Sequence, residues 1–201
     1  MARLQLSKTS LTNEKRRLEG FERFLPSLDL KRRQLTALRA GTAATIADLA
    51  KQVEDLRAEV ADRLPMLANT DIDLNALVHV SNVQVEMENV VGVRLPRLSG
   101  AQVDVRPYSY LGKPHWVDQV ADDLKRMLDL RLRLQVEQSR LELLAQAVRT
   151  VTQRVNLFDK VLIPRTRANI KRIEIYLSDA ERAAVVRAKI AKAKHHRQAA
   201  A

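Results

Sequence analysis

The sequence predicts a mainly α fold: two long helices in an antiparallel coiled coil, with a small segment containing a β-hairpin between them. Three observations carry this. Apolar residues near both chain ends recur at alternating steps of three and four, the spacing that places them on one narrow helical stripe. Only 3% of the 201 residues are aromatic, with 5 Gly and 6 Pro, too few for a turn-rich globule. Between the two periodic stretches lies a short region where the period changes to two. The resulting domain boundaries are 1–65 for the first helix, 66–115 for the hairpin segment and 116–201 for the second helix with its basic tail.

The C-terminal stretch has the clearest pattern. Leu141, Leu144, Val148, Val151, Val155, Phe158 and Leu162 keep the three-four alternation without a miss. That is the seam of a coiled coil. Pro164 is expected to kink the helix, because it removes one ladder hydrogen bond, and the stripe resumes out of phase at Ile170, Ile173 and Leu177. A helix patterned this way cannot bury its stripe alone, so Val148, Val151, Val155 and Phe158 are expected to pack on the first helix around Leu28 to Leu49.

In that first helix Ser10 is the expected N-cap. Leu18, Leu25, Ile46 and Val53 occupy one seam position and Phe21, Leu28, Leu35, Leu49 and Leu56 the other, while Arg32, Arg39, Thr42 and Arg63 weaken the seam. Pro26 predicts a kink between Glu22 and Pro26, and Pro65 ends the helix. At ~1.5 Å per residue, residues 10 to 64 would span roughly 80 Å, and a helix from Trp116 to Lys194 roughly 117 Å.

The middle segment holds three of the five glycines. Val83, Val85 and Met87 alternate with Gln84, Glu86 and Glu88, and Val91, Val93 and Leu95 alternate again before Pro96. This predicts a hairpin between about Gln84 and Leu98, turning at Asn89 to Gly92, and a third short strand at Gln102 to Arg106. Trp116 is expected to anchor the start of the second helix on this region.

Net charge is +11 and unevenly spread: +6 over residues 1–39, −5 over 40–130 and +10 over 131–201. Folding the two helices antiparallel brings the basic ends together, making a positive tip from Lys8, Lys15, Arg16 and Arg17 with Arg182, Arg187, Lys189 and Lys192. The charge also permits a second reading, a basic coiled-coil module that binds nucleic acid or ribosomes. Against it, the basic residues fall on all helix faces and few aromatics are available to stack on bases.

The sequence carries no recognisable catalytic or ligand-binding pattern. Neither a G-x-x-x-x-G-K-[ST] nor a G-x-G-x-x-G run occurs. Asp71, Asp73 and Asn75 resemble the start of a calcium loop, but Ala76 replaces the required glycine and Asn82 the closing glutamate. Asp122 and Asp123 face different sides of a helix start, where solvated carboxylates favour the dipole. His195 and His196, adjacent in a Lys-rich tail, read as solvated rather than as metal ligands. There is no cysteine, no apolar leader and no run of 18 apolar residues, so no metal, no cofactor and no enzyme activity are expected, and the expected compartment is the cytoplasm.

The run from Thr152 to Pro164 (TQRVNLFDKVLIP), followed by Ile170 and Ile173, resembles the signature of the central-stalk D subunit of V-type and archaeal-type rotary ATPases. Leu30 to Leu35 (LKRRQL) is similar to the basic patch of that family's first helix, and Glu88 to Pro96 (ENVVGVRLP) to its central hairpin. The three stretches lie in the family's order and span nearly the whole chain. The resemblance implies a non-catalytic rotor shaft that couples ATP hydrolysis or synthesis to proton or sodium transport. It also implies partners: the catalytic A and nucleotide-binding B subunits of the head, a small F subunit, and a funnel-like docking subunit (C/d type) above the membrane rotor. The implied location is cytoplasmic, peripheral to the membrane, without insertion into it.

Overall fold

The computed structural model describes residues 4–68, 74, 77–108 and 114–199, with the side chains of all of these except 67–68 and 195–199. It bears out the mainly α fold. The elements are α1 (Lys8–Arg63), a 3₁₀ turn (Pro65–Ala68), β1 (Val78–Val90), β2 (Val93–Val105), α2 (Trp116–Leu157), a π-turn (Phe158–Leu162) and α3 (Ile163–Ala199). Asp71, Asp73, Asn75 and Ala76 of the calcium-loop comparison lie outside the described residues, as do the side chains of His195 and His196. The chain divides into two compact units, one of residues 1–30 and 151–201 and the other of 31–150.

In the first unit α1 starts earlier than expected. The N-cap is Ser7, whose hydroxyl oxygen accepts the Ser10 N–H at 3.2 Å, and Ser10 already lies within the helix. Pro26 does not interrupt α1. It lies on an exposed face, where the carbonyl it leaves unpaired can meet water, and the next residue, Ser27, donates its hydroxyl to the Phe24 carbonyl at 2.8 Å.

Pro164 likewise breaks no helix. The turn before it widens, and the Ile163 N–H donates to the Phe158 carbonyl five residues back. Such a π-turn accommodates one extra residue. The stripe before Pro164 would continue to Arg165 and Asn169, yet the buried residues after it are Ile163, Thr166, Ile170 and Ile173, one position away. The one-residue phase slip read in the sequence is therefore absorbed by one widened turn. Phe158 meets the Phe21 ring edge to face, centroids 5.4 Å apart and planes at 88°, nearer the chain's ends than the Leu28 to Leu49 stretch expected for it.

In the second unit a small core forms from Leu64, Leu77, Val117, Val120 and Ala121. Trp116, Val78 and Val105 pack on it, so the start of α2 and the base of the hairpin share one apolar cluster. Beside it Asp123 is 5% exposed and takes a 2.6 Å ion pair from Arg63, itself 34% exposed at the side chain. This overturns the reading of Asp123 as a solvated carboxylate. Asp122, one residue earlier, is exposed and faces Lys125 at 3.5 Å.

The hairpin is longer than its alternation suggests, and residues 102–105 are the end of β2 rather than a third strand. The strands pair antiparallel from Val78 with Val105 to Val90 with Val93. Two irregularities interrupt the ladder. Ser81 is extra on β1 and Ser99 on β2, so the second bulge restores the register that the first displaces. Each bulged serine donates its hydroxyl to a carbonyl of the other strand, Ser81 to Gln102 at 3.2 Å and Ser99 to Gln84 at 3.0 Å. The turn is Val91–Gly92 alone, and Asn89 is a strand residue paired with Arg94. Both turn residues have positive φ, 53° at Val91 and 72° at Gly92. Glycine adopts this readily, whereas a β-branched valine is strained there.

Arg63→Ala strands a buried carboxylate and should destabilise the protein by about 2–3 kcal/mol, and Arg63→Met with Asp123→Leu should recover most of that loss in thermal melts followed by circular dichroism. Val91→Asn creates an Asn-Gly turn and should stabilise the hairpin by about 1 kcal/mol, read as slower amide exchange in β1 and β2.

Candidate functional site

The residues that the sequence marks out belong to surfaces of paired elements. Of the seam positions, Leu35, Leu49, Val53, Leu144, Val151 and Val155 are buried. Leu18, Leu25, Leu28, Ile46, Leu56, Leu141, Val148, Phe158 and Leu162 are half-buried, as the outer shoulders of a stripe between only two helices must be. Thr42 is buried where the heptad places it, while Arg39 is exposed and the neighbouring Leu38 is half-buried in its place.

The basic residues Lys8, Lys15, Arg16, Arg17, Arg182, Arg187, Lys189 and Lys192 are all exposed. They are less available as a positive cluster than their number suggests. Lys8 faces Glu181 at 3.6 Å, Lys15 faces Glu174 at 2.8 Å and Arg17 faces Glu14 at 2.9 Å. Glu14 is itself buried at 6% exposure and also accepts a 3.2 Å hydrogen bond from the Asn169 amide. Sequence reasoning missed this carboxylate because it occupies a seam position where an apolar residue is expected. The Glu in the heptad was the available signal.

At the hairpin, Gly92 is exposed at the tip, and a Cβ added there would come within 3.1 Å of the Lys31 ammonium nitrogen. Val90 and Val91 line a groove with Ala37, Leu38 and Gly41 of α1. Glu88 reaches Arg140 of α2 at 3.7 Å. On the other face Val83, Val85 and Met87 stand 40%, 45% and 61% exposed, an apolar row on the outer surface of the hairpin. Among the described residues no group of three or more metal-ligating side chains occurs, and no helix is long and apolar enough to cross a membrane.

With this geometry in view, residues 10–193 match the family model for the ATP synthase D subunit. The V-type ATP synthase D subunit of Borreliella burgdorferi is 33% identical over 194 residues, covering 96% of this chain and 95% of that protein. Those of Chlamydia trachomatis serovar L2 and Chlamydia pneumoniae are 31% and 30% identical, each over 198 residues, covering 96% and 95% of this chain and 96% and 92% of theirs. The match runs through both helical stretches and the hairpin, and it does not favour the nucleic-acid or ribosome reading. The chain belongs to the ATP synthase D-subunit family, the central-stalk component of V-type rotary ATPases.

Proposed function

We propose that this chain is the non-catalytic shaft of a V-type ATPase or ATP synthase, turning within a ring of catalytic A and nucleotide-binding B subunits and carrying torque between ATP chemistry and proton or sodium transport. The observation that carries this reading is the first unit, in which the two ends of the chain come together as facing helices. Their stripe of Ile163, Thr166, Ile170 and Ile173 is buried, while most charged residues of both helices face outward, among exposed apolar residues such as Phe24 and Ile175. Interdigitated seam side chains make two helices twist as one body, because rotating either alone would unpack the layers.

Exposed charges suit the surface of a turning part. Their interactions are weak, screened and undemanding in orientation, so no single angle becomes a trap. The outer hairpin row of Val83, Val85 and Met87 offers a surface for a stationary contact, which we assign to the funnel-like docking subunit of the membrane rotor, and the small F subunit binds along the stalk. In this reading the protein is cytoplasmic and held at the membrane only through its partners.

The test is single-molecule rotation of the complex reassembled from the head subunits, the F subunit and two truncated forms of this chain. Removing residues 190–201 should leave rotation with a modest loss of torque, since residues 190–194 are exposed and bury no part of the stripe. Removing residues 164–201 deletes one of the two helices, so the ring should hydrolyse ATP without sustained rotation. If the short deletion stops rotation as completely as the long one, the tail is an anchor and the shaft reading fails.

A further inference from the structure

Three ion pairs connect α1 and α3 within the first unit: Lys8 with Glu181 at 3.6 Å, Lys15 with Glu174 at 2.8 Å, and Glu22 with Arg167 at 2.7 Å. Each step of seven residues up α1 is matched by a step of seven down α3. The contacts therefore repeat once per heptad in an antiparallel coil, and the sign of the pair reverses at the third rung. We propose that this ladder is a register lock: its charge order selects one alignment of the terminal coil and rejects both alignments displaced by a heptad.

The apolar stripe cannot make that choice alone. Ile163, Ile170 and Leu177 are a heptad apart, as are Thr166 and Ile173, and on α1 Leu11, Leu18 and Leu25 repeat likewise. Sliding α3 by seven residues still sets apolar positions largely against apolar positions. The charges respond differently. Moved one way, Lys8 meets Glu174 and Glu22 meets Lys160, but Lys15 meets Arg167. Moved the other way, Lys15 meets Glu181 and Asp29 meets Arg167, but Glu22 meets Glu174, and Lys8 meets Ala188. The observed alignment has three unlike pairs, and each displaced one contains a like pair.

These side chains are about half exposed or more, so each pair adds little to stability. Register depends on the difference between alignments, and there a reversed sign counts twice. Arg17 and Asn169 hold the buried Glu14 next to the ladder in the same alignment. The lock acts between two helices of this chain in isolation and is independent of the shaft reading.

Zero-length carbodiimide coupling joins only amines and carboxylates in contact, so peptide mapping of the full-length protein reads the register directly. The unaltered chain should give Lys8–Glu181 and Lys15–Glu174 conjugates. Arg167→Glu turns the third rung into a like pair and replaces the like pair of the first displaced alignment with an unlike one. The ratio of Lys8–Glu174 to Lys8–Glu181 conjugates should rise about thirtyfold. Glu22→Lys should displace the coil in the opposite sense and raise Lys15–Glu181 over Lys15–Glu174. Combining the two substitutions restores an unlike third rung and should bring both ratios back towards those of the unaltered chain. Unchanged ratios in both single variants would overturn the lock. So would a combined variant in which the Lys8–Glu181 and Lys15–Glu174 conjugates do not predominate, and that comparison stands even if a single variant does not fold.

Discussion

A helix carrying one narrow apolar stripe has no use for it until another surface covers it, and most of this structure derives from that requirement. In the first unit the covering surface is the opposite end of the same chain, so residues far apart in sequence become neighbours: Glu14 and Asn169, Glu22 and Arg167, Phe21 and Phe158. Most of the charged residues outside the stripe stay exposed.

Keeping that stripe covered sets the form of the helix near Pro164. A proline inside a helix removes a donor and crowds the carbonyl four residues before it. A break here would turn Ile170 and Ile173 away from their partner. The π-turn at Phe158–Leu162 widens the helix instead and rotates α3 by the one residue that the sequence pattern requires. Pro26 lies within α1 on an exposed face, and no widened turn precedes it. Two prolines in long helices are thus accommodated differently, one with a widened turn before it and one without.

The second unit shows how a hairpin, marginal by itself in water, becomes a fixed part of a helical protein. Its base is packed into the cluster of Leu64, Leu77, Val117 and Val120, and its tip rests near α1 through Val90 and Val91. Its turn carries a locally poor choice, a valine at positive φ. Asp123, beside the cluster, is buried, which makes its pair with Arg63 sensitive to loss of the arginine.

The helical class, the seam and the existence of the hairpin were legible in the sequence because each is a local periodicity, and a period survives whatever the distant partner is. The motif from Thr152 to Pro164 carried the family for the same reason: it is contiguous. Other features were decided only by tertiary structure. Arg63 read as a flaw in a seam until Asp123, sixty residues away, was placed beside it. Gln102 to Arg106 read as a separate third strand until the ladder, carried through two bulges, made residues 102–105 the end of β2. Lys8, Lys15 and Arg17 read as a bare positive cluster until Glu181, Glu174 and Glu14 met them. In each case the deciding interaction joins residues whose proximity depends on the alignment of whole elements, and no local pattern encodes that alignment.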